Sequence, residues 1–299
     1  MHQRILEITN PCELHIQNYQ LKIIQEDQIF FVPIHELSII IAQGQNIRLS
    51  TDDLSILAEN HVLFLTLNQK YLPSTMPLSF INNSRQSITM EKQLLLSKRK
   101  RNILWNQIIS CKIYNQASVL RLLEKTGVQE IVSYSKQIHY GDRENVEALA
   151  AHKYFQYYYP GLNRRCESAV NSRLNYGYSI VRGCVAKSLA AHGFLLSKGI
   201  HHESSLNAFN LVDDRIEPFR AFVDLNSTRI QSNQIRLTRE ERKILMETLY
   251  MECKIDNKYT TVQNAIEIMV DSLKAFIFEN GDLLLPEMVP LNIRRFAQE

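Results

Sequence analysis

The hydrophobic pattern changes its period part-way along the chain, and this change constrains the fold more than any other feature. Up to about residue 80, apolar and polar residues alternate in short segments rich in β-formers, which is typical of strands with one buried face. We predict strands at 13–16, 20–23, 28–32, 38–42 and 62–67, with a short helix from Ser50 to Asn60. The first part of the chain is therefore predicted to be β-rich.

From Met90 onward the apolar residues recur with a helical period. We predict helices over 90–114 with Trp105 buried, from Asp142 as N-cap to a stop at Pro160-Gly161, and over 167–193, 238–252 and 261–280. Residues 68–88, which contain Pro73 and Pro77, suit a linker. The predicted fold class is α+β, with a small β-rich domain at residues 1–80 and a larger all-α domain at residues 81–299.

Composition favours a soluble intracellular protein. The chain has 299 residues, of which 45% are apolar, and no run approaches the roughly 18 apolar residues of a membrane span. No basic-then-apolar signal begins the chain, so we expect no membrane association and a cytoplasmic location. The five cysteines are scattered and form no CxxC pair, so they predict reduced thiols rather than disulfides or a zinc site.

Charge is distributed unevenly. Residues 1–84 contain 4 Lys/Arg and 8 Asp/Glu, whereas the remaining residues contain 30 and 23. The second part is therefore the candidate binder of phosphates. For the run at 98–101, a solvated helix face is an equally good explanation. The residues predicted to contact the DNA backbone are Arg164, Arg165, Arg173, Arg182 and Lys187.

The segment 199–224 is rich in potential metal ligands and charged residues. It contains the pair His201-His202, followed by an acidic cluster with arginines interleaved: Asp213, Asp214 and Glu217, with Arg215 and Arg220. Imidazole and carboxylate with basic side chains nearby is the set that a divalent metal acting on phosphate requires. Because the residue before proline avoids the α region, Pro218 predicts a kink that aims Glu217. We expect Asp213 and Asp224 to be capping or ion-paired.

A second acidic residue lies on the helix that follows Gly141-Asp142. Glu147, Ala151, Tyr154 and Tyr158 fall on one helical face, so the carboxylate faces inward among small and aromatic residues. An inward carboxylate needs a partner, because an unpaired buried charge is costly. For an arbitrary glutamate of this kind, pairing with an arginine or capping a neighbouring helix is commoner than binding a metal.

Four ordered motifs together are more specific than any of them alone. They are D-x-x-N-x-E-x-x-A-A-x-x-Y-F at 142–155, N-x-x-L-N-Y-G-Y at 171–178, G-x-x-H at 199–202 and D-D-x-x-E-P-F-R-x-F-V-D at 213–224. In order and spacing this series resembles the CRISPR-associated integrase family, the larger protein of the spacer-acquisition pair. The sequence around residues 207–210 resembles that of the family members found beside type II effector nucleases.

The resemblance implies an activity, a ligand set and partners. It implies Mg²⁺ or Mn²⁺ held by Glu147, His202 and Glu217, with the G-x-x-H pattern selecting His202 over His201. Asp214, three residues before Glu217, is expected to act as an outer residue of the site. The implied reaction inserts captured foreign DNA into a CRISPR array by attack of a 3′-hydroxyl on a phosphodiester.

The resemblance also implies partners for the chain, and two alternative functions stay open. The implied partners are double-stranded DNA (the captured fragment and the repeat array), a second copy in a homodimer built on the N-terminal domain, and a small acquisition protein that bridges two dimers. One alternative function is a metal-dependent repair nuclease or resolvase on branched DNA. Another is a non-catalytic DNA-binding scaffold in which Glu147 and Glu217 form buried ion pairs.

Overall fold

A computed structural model describes residues 4–44, 46–68, 73–77, 85–139 and 141–289. The chain divides into two compact units, Met1–Gln86 and Ser87–Glu299. The first is rich in strands and the second is mostly helical, which confirms the predicted α+β fold class. The predicted domain boundary at residues 80 and 81 lies outside the described residues, as does about half of the predicted linker. The described part is not a simple linker, because Pro73–Thr75 forms a strand of a sheet and a helix begins at Gln86.

Eight strands and one α-helix are described in the first unit. They are β1 (Arg4–Ile8), β2 (Cys12–Gln17), β3 (Gln20–Gln25), β4 (Gln28–Pro33), β5 (Leu37–Ala42), β6 (Ile47–Leu49), α1 (Thr51–Glu59), β7 (Leu63–Leu67) and β8 (Pro73–Thr75). One four-stranded sheet has the order β1-β5-β7-β8 and the other the order β4-β3-β2-β6. All five predicted strands and the helix after Ser50 are present. Ser50 caps α1 by accepting a hydrogen bond from the backbone N–H of Asp53.

The two sheets of this unit share one apolar core. Leu14 on β2 and Leu21 on β3 pack in the same buried cluster as Ile40 on β5 and Leu57 on α1. Every residue of β5 is buried, which explains why all of them except Ser38 are apolar. Strand β4 lies at an edge, and its Ile29, Phe30 and Phe31 are about half exposed.

The second unit is built around two long helices. Its described elements are α2 (Gln86–Leu94), α3 (Lys98–Leu122), α4 (Val128–Ser135), α5 (Val146–Tyr158), α6 (Ala169–Ala191), α7 (Asn210–Ile216), α8 (Arg220–Ser227), α9 (Arg239–Met246), β9 (Glu252–Ile255), β10 (Lys258–Thr261) and α10 (Val262–Glu279). Helices α3 and α6 contribute the largest share of its buried residues. At Gly177, an added Cβ would lie 2.4 Å from Val223, so this glycine allows α6 and α8 to approach closely.

Three helix predictions need correction. The segment 90–114 is not one helix, because α2 ends at Leu94 and Ser97 opens α3 by capping the N–H of Lys100. The helix predicted over 238–252 ends at Met246 and gives way to a 3₁₀ turn and then to β9. Asp142 is not the N-cap of α5, a position that Asn145 holds.

The hairpin of β9 and β10 was missed, so the second unit is not purely α-helical. Its turn is Asp256-Asn257, and both residues have positive φ values, of 49° and 60°. Asp and Asn tolerate this left-handed conformation, and such a pair favours a two-residue hairpin turn. The Asp-Asn pair was therefore a sequence signal from which the hairpin could have been predicted. Among the helices in the described ranges, none is long and apolar enough to cross a membrane.

Candidate metal centre

Glu147 lies in the first turn of α5 and faces a cleft. The carboxylate of Asp142 accepts hydrogen bonds from the backbone N–H groups of Val146 and Glu147, at 2.9 and 3.1 Å. Asp142 thus satisfies donors of the first turn although it precedes the N-cap by three residues. The helix N-terminus also favours a negative charge at Glu147. The start of α5 therefore places this side chain at the cleft.

Glu217 lies in the 3₁₀ turn Glu217–Phe219, which joins α7 to α8. Its φ and ψ are −52° and −44°, so it keeps a helical conformation despite the following Pro218. The rule that residues before proline avoid this region is therefore broken, as the tertiary contacts of a buried segment can require. Oε1 of Glu217 accepts a hydrogen bond from Nε of Arg220 at 2.7 Å.

Burial alone would raise the pKa of Glu217. The nearby charges of Arg220 and Lys112 outweigh that effect and lower it to about 2. Glu217 is therefore a carboxylate at neutral pH, and it is ready to bind a cation.

Lys112, on α3, joins the two glutamates and was missed by sequence reasoning. Its ammonium donates to Oε1 of Glu147 and lies 2.5 Å from Oε2 of Glu217. Burial acts to lower the pKa of Lys112, but the two carboxylates outweigh it and raise the pKa. The sequence did contain a signal for the burial of Lys112. It lies four residues after Ile108 and eight after Leu104, so it falls on the buried stripe of α3.

His202 is oriented by Asp214. A carboxylate only accepts, so Nδ1 of His202 donates to Oδ1 of Asp214, at 2.7 Å. The carboxylate of Asp214 is fully buried and also accepts from the backbone N–H groups of residues 200, 201 and 202. This hydrogen bond raises the pKa of His202. It also leaves Nε2 as the ring nitrogen available to another partner.

The turn that carries His202 requires Gly199. An added Cβ at this position would lie 2.3 Å from the carbonyl oxygen of His202 and 2.8 Å from Oδ2 of Asp214. Residues 199–202 therefore fold tightly onto Asp214, which accounts for the glycine of the G-x-x-H motif.

The two adjacent histidines point in different directions. The ring of His201 stacks on Trp105 with centroids 4.1 Å apart, whereas His202 meets the same ring edge-on at 5.8 Å. The planes of the two imidazoles differ by 88°. Burial lowers the pKa of His201. Trp105 is buried, as predicted, and both imidazole rings contact it.

The donor atoms suit a hard divalent cation, although they do not converge on one point. Among the described residues, no three His, Cys, Asp or Glu side chains form a ready ligand cluster. Glu147 and Glu217 nevertheless already share one cation, the ammonium of Lys112. Oε2 of Glu217 is buried against that ammonium. Two carboxylates and an imidazole nitrogen fit Mg²⁺ or Mn²⁺.

An open cleft of about 880 Å³ lies beside the two glutamates. Lys112, Arg164, Arg165 and Arg220 give its wall a positive charge, and Phe155 and Tyr178 supply aromatic rings. The guanidinium of Arg220 lies over the ring of Tyr178, 4.7 Å from its centroid. A cleft with cations and ring faces suits a nucleic-acid strand, because cations bind phosphates and bases stack on aromatic rings.

The predicted DNA-binding residues differ in placement. Arg164 and Arg165 line the cleft, and Lys187 is half-buried on α6. Arg182 is ion-paired with Asp213 at 2.6 Å, which confirms the pairing predicted for that aspartate. The prediction for Arg173 is wrong, because its buried guanidinium donates to the carbonyl oxygens of Ile230 and Ser232. Arg173 therefore supports the fold.

Asp224 is held by aromatic hydroxyls, so the prediction that it caps a helix or forms an ion pair is wrong. Tyr154 donates to its Oδ2 at 2.8 Å, and Tyr178 donates to its Oδ1. Burial raises the pKa of Asp224 to about 6, against the hydrogen bonds from the two tyrosines. Tyr178 also lines the cleft, so this network supports one wall of the site.

A model of the family described as CRISPR associated protein Cas1 matches residues 6–252. The match covers well over half of the 299 residues. The chain belongs to the Cas1 family. The family resemblance read from the four motifs is thereby confirmed.

One relative and two solved structures are also similar to this chain. The CRISPR-associated endonuclease Cas1 of Neisseria meningitidis serogroup C (strain 8013) is 33% identical over 301 residues, covering 97% of this chain and 98% of that protein. A casposase bound to integration product has a TM-score of 0.79 at 19% identity, covering 99% of this chain and 97% of its own. A chain of a Cas6-RT-Cas1–Cas2 complex has a TM-score of 0.70 at 19% identity, covering 94% of this chain and 35% of its own. These two structures establish the fold of this Cas1-family chain.

Proposed function

We propose that this Cas1-family chain is a metal-dependent DNA integrase and endonuclease that inserts captured foreign DNA into a CRISPR array. One observation carries the proposal. Glu147 and Glu217, from separate helical segments, share one cation at the edge of a positively charged cleft. The names of the Neisseria relative, an endonuclease, and of the casposase, bound to integration product, support the same chemistry.

Each residue of the centre has a proposed role. Glu147 and Glu217 would hold Mg²⁺ or Mn²⁺ through carboxylate oxygens, and His202 would add Nε2 while Asp214 fixes its ring. The bound ion would polarise the phosphodiester and stabilise charge on the leaving oxygen. Arg164, Arg165 and Arg220 would hold phosphate oxygens of the strand in the cleft.

The proposed reaction exchanges one bond for another. The 3′-hydroxyl oxygen of the captured fragment bonds to a phosphorus of the repeat, and the bond from that phosphorus to the repeat's own 3′-oxygen breaks. The proton of the attacking hydroxyl passes through solvent to the leaving 3′-oxygen. No protein nucleophile is consumed, so the chain's residues need only bind and orient the two strands. With water as the attacking group, the same residues would hydrolyse DNA.

We propose that partners complete the assembly. Residues 1–80 would form a homodimer through the exposed apolar side chains of β4, because an edge strand with such residues favours pairing with a second chain. Residues 81–299 would bind DNA and carry out the reaction. A complex that names Cas1 and Cas2 together supports a small bridging partner.

A strand-transfer assay with labelled double-stranded DNA and a repeat target tests this function. Product should form with Mg²⁺ or Mn²⁺ and stop with EDTA. Full activity in chelator would rule out the metal centre. Metal-dependent turnover of branched DNA without any partner protein would favour the repair nuclease instead.

A scaffold remains the second candidate because of one specific observation. Glu217 forms buried ion pairs with Lys112 and Arg220, as a structural network would. DNA binding that persists while strand transfer is absent under every metal condition would favour the scaffold.

A further inference from the structure

Lys112 is a buried cation placed between two groups that the proposed function assigns to a metal. The residue is 6% exposed, and its ammonium contacts both Glu147 and Glu217. Arg220 contacts Glu217 as well, but through the other carboxylate oxygen. Oε1 of Glu147 and Oε2 of Glu217 thus converge on the ammonium of Lys112. The two carboxylates are held near each other by this shared partner.

Electrostatics explains why a lysine is placed there. Two carboxylates directed at one point repel each other, and removing them from water increases the cost. A cation between them offsets both effects, and a lysine ammonium is compact enough to do so. A divalent ion bound by the same oxygens would neutralise them more fully. It would also repel an ammonium that stayed at hydrogen-bond distance from those oxygens.

We propose that Lys112 is an internal counter-ion that holds the metal-binding carboxylates in the metal-free chain and is displaced when the metal binds. This inference rests on the proposed function. Lys112 also lines the cleft, so a modest rotation of its long side chain would turn the displaced ammonium toward a DNA phosphate. Metal binding would then add a positive charge to the surface that receives DNA.

Competition predicts that removing the ammonium strengthens metal binding. We would titrate Mn²⁺ into the full chain by calorimetry and compare the wild type with Lys112→Met, which keeps most of the length of the side chain without its charge. Lys112→Met should bind Mn²⁺ at least about tenfold more tightly. In chelator it should melt at a lower temperature than the wild type, because two carboxylates lose a counter-ion.

Two further variants separate charge from space and from general effects. Lys112→Arg keeps a positive charge and should bind Mn²⁺ no more tightly than the wild type. Lys153 lies on the same helix as Glu147 but is ion-paired with Glu130. Lys153→Met therefore removes a nearby cation outside the site and should leave the Mn²⁺ affinity unchanged. If Lys112→Met does not fold, Lys112→Gln provides the same comparison.

The outcomes distinguish this inference from the function on which it rests. The metal centre is supported if the wild type binds Mn²⁺ and Glu217→Gln does not. In that case, equal or weaker Mn²⁺ binding by Lys112→Met would overturn the counter-ion proposal alone. Equal tightening by Lys112→Met and Lys112→Arg would also overturn it, because space rather than charge would then be the cause. A wild type that binds no Mn²⁺ would sink both proposals.

Discussion

Asp214 holds His202 through two different groups: its Oδ1 accepts from Nδ1 of the imidazole at 2.7 Å and from the backbone N–H of the same residue at 3.1 Å. The carboxylate also accepts from the N–H groups of residues 200 and 201. Asp214 therefore organises both the turn and the ring that it carries. It contacts a proposed ligand without being one, which is the arrangement expected of an orienting carboxylate.

The two proposed carboxylate ligands should be essential for chemistry and dispensable for the fold. Glu147→Gln and Glu217→Gln keep the shape of each side chain but weaken its hold on a cation. We expect strand transfer to fall at least about 100-fold in each, because a lost ligand removes the stabilisation of the leaving oxygen. Strand-transfer rates and melting temperatures should be measured together, with the exposed Glu144→Gln as the control. A variant that unfolds instead would favour the buried ion-pair scaffold.

The two histidines should respond differently to removal. His202→Ala should abolish strand transfer, whereas His201→Ala should keep much of the activity and lose about 0.5–1.5 kcal/mol of stability with its stack on Trp105. Asp214→Ala should lower the Mn²⁺ affinity by roughly 10–100-fold, since the ring of His202 loses its acceptor. Rates and calorimetric affinities check these expectations. An inactive His201→Ala beside an active His202→Ala would show that the wrong histidine was chosen.

Replacing Arg165 should weaken DNA binding, whereas replacing Arg173 should lower stability. Arg165 is exposed at the cleft, so Arg165→Ala should weaken duplex binding for every sequence and reduce the salt dependence by about one phosphate contact. Arg173→Ala should instead lower the melting temperature, because it removes buried hydrogen bonds to two carbonyl oxygens. Binding curves at several salt concentrations, with the exposed Arg239→Ala as the control, measure both effects. Equal salt slopes for the wild type and Arg165→Ala would contradict the cleft assignment.

Charges on the edge strand should break the proposed homodimer. Ile29 and Phe31 point to the same face of β4 and are about half exposed. The double variant Ile29→Lys/Phe31→Lys should be monomeric by light scattering at micromolar concentration, because apolar contacts are replaced by repelling charges. Gln28→Lys on the same strand is the matched control. A double variant that stays dimeric would place the dimer interface elsewhere.

Asp224 should make the protein less stable as the pH rises. Its pKa in the folded chain is raised to about 6 from an ordinary value of 3.8, so the folded state binds this proton more tightly than the unfolded state. This contribution is therefore lost between about pH 4 and pH 6 and stays lost above that range. From pH 5 to pH 7 the free energy of unfolding should fall by about 1 kcal/mol through this group alone. Urea unfolding of the wild type and Asp224→Asn at both pH values checks this, since the variant should lack this component.

The sequence by itself was enough to predict the five main strands and the first helix of the first unit and to select the candidate ligands. The period-two segments of the first unit formed strands because alternation places one face of a strand in the core, and Ser50 opened α1 because its hydroxyl caps a free N–H. The motifs selected Glu147, His202 and Glu217, and the family was readable from their order and spacing. Local rules suffice where the cause acts over a few neighbouring residues.

Tertiary structure alone decided which of these residues meet and what lies between them. Lys112 is 35 residues from Glu147 and 105 from Glu217, so no local pattern could show that it joins them. Arg173 resembled its neighbours in charge, and only packing against residues 230–232 separated a buried structural arginine from Arg165 in the cleft. Electrostatic interactions depend on distance and burial in space, and the sequence specifies both only through the completed fold.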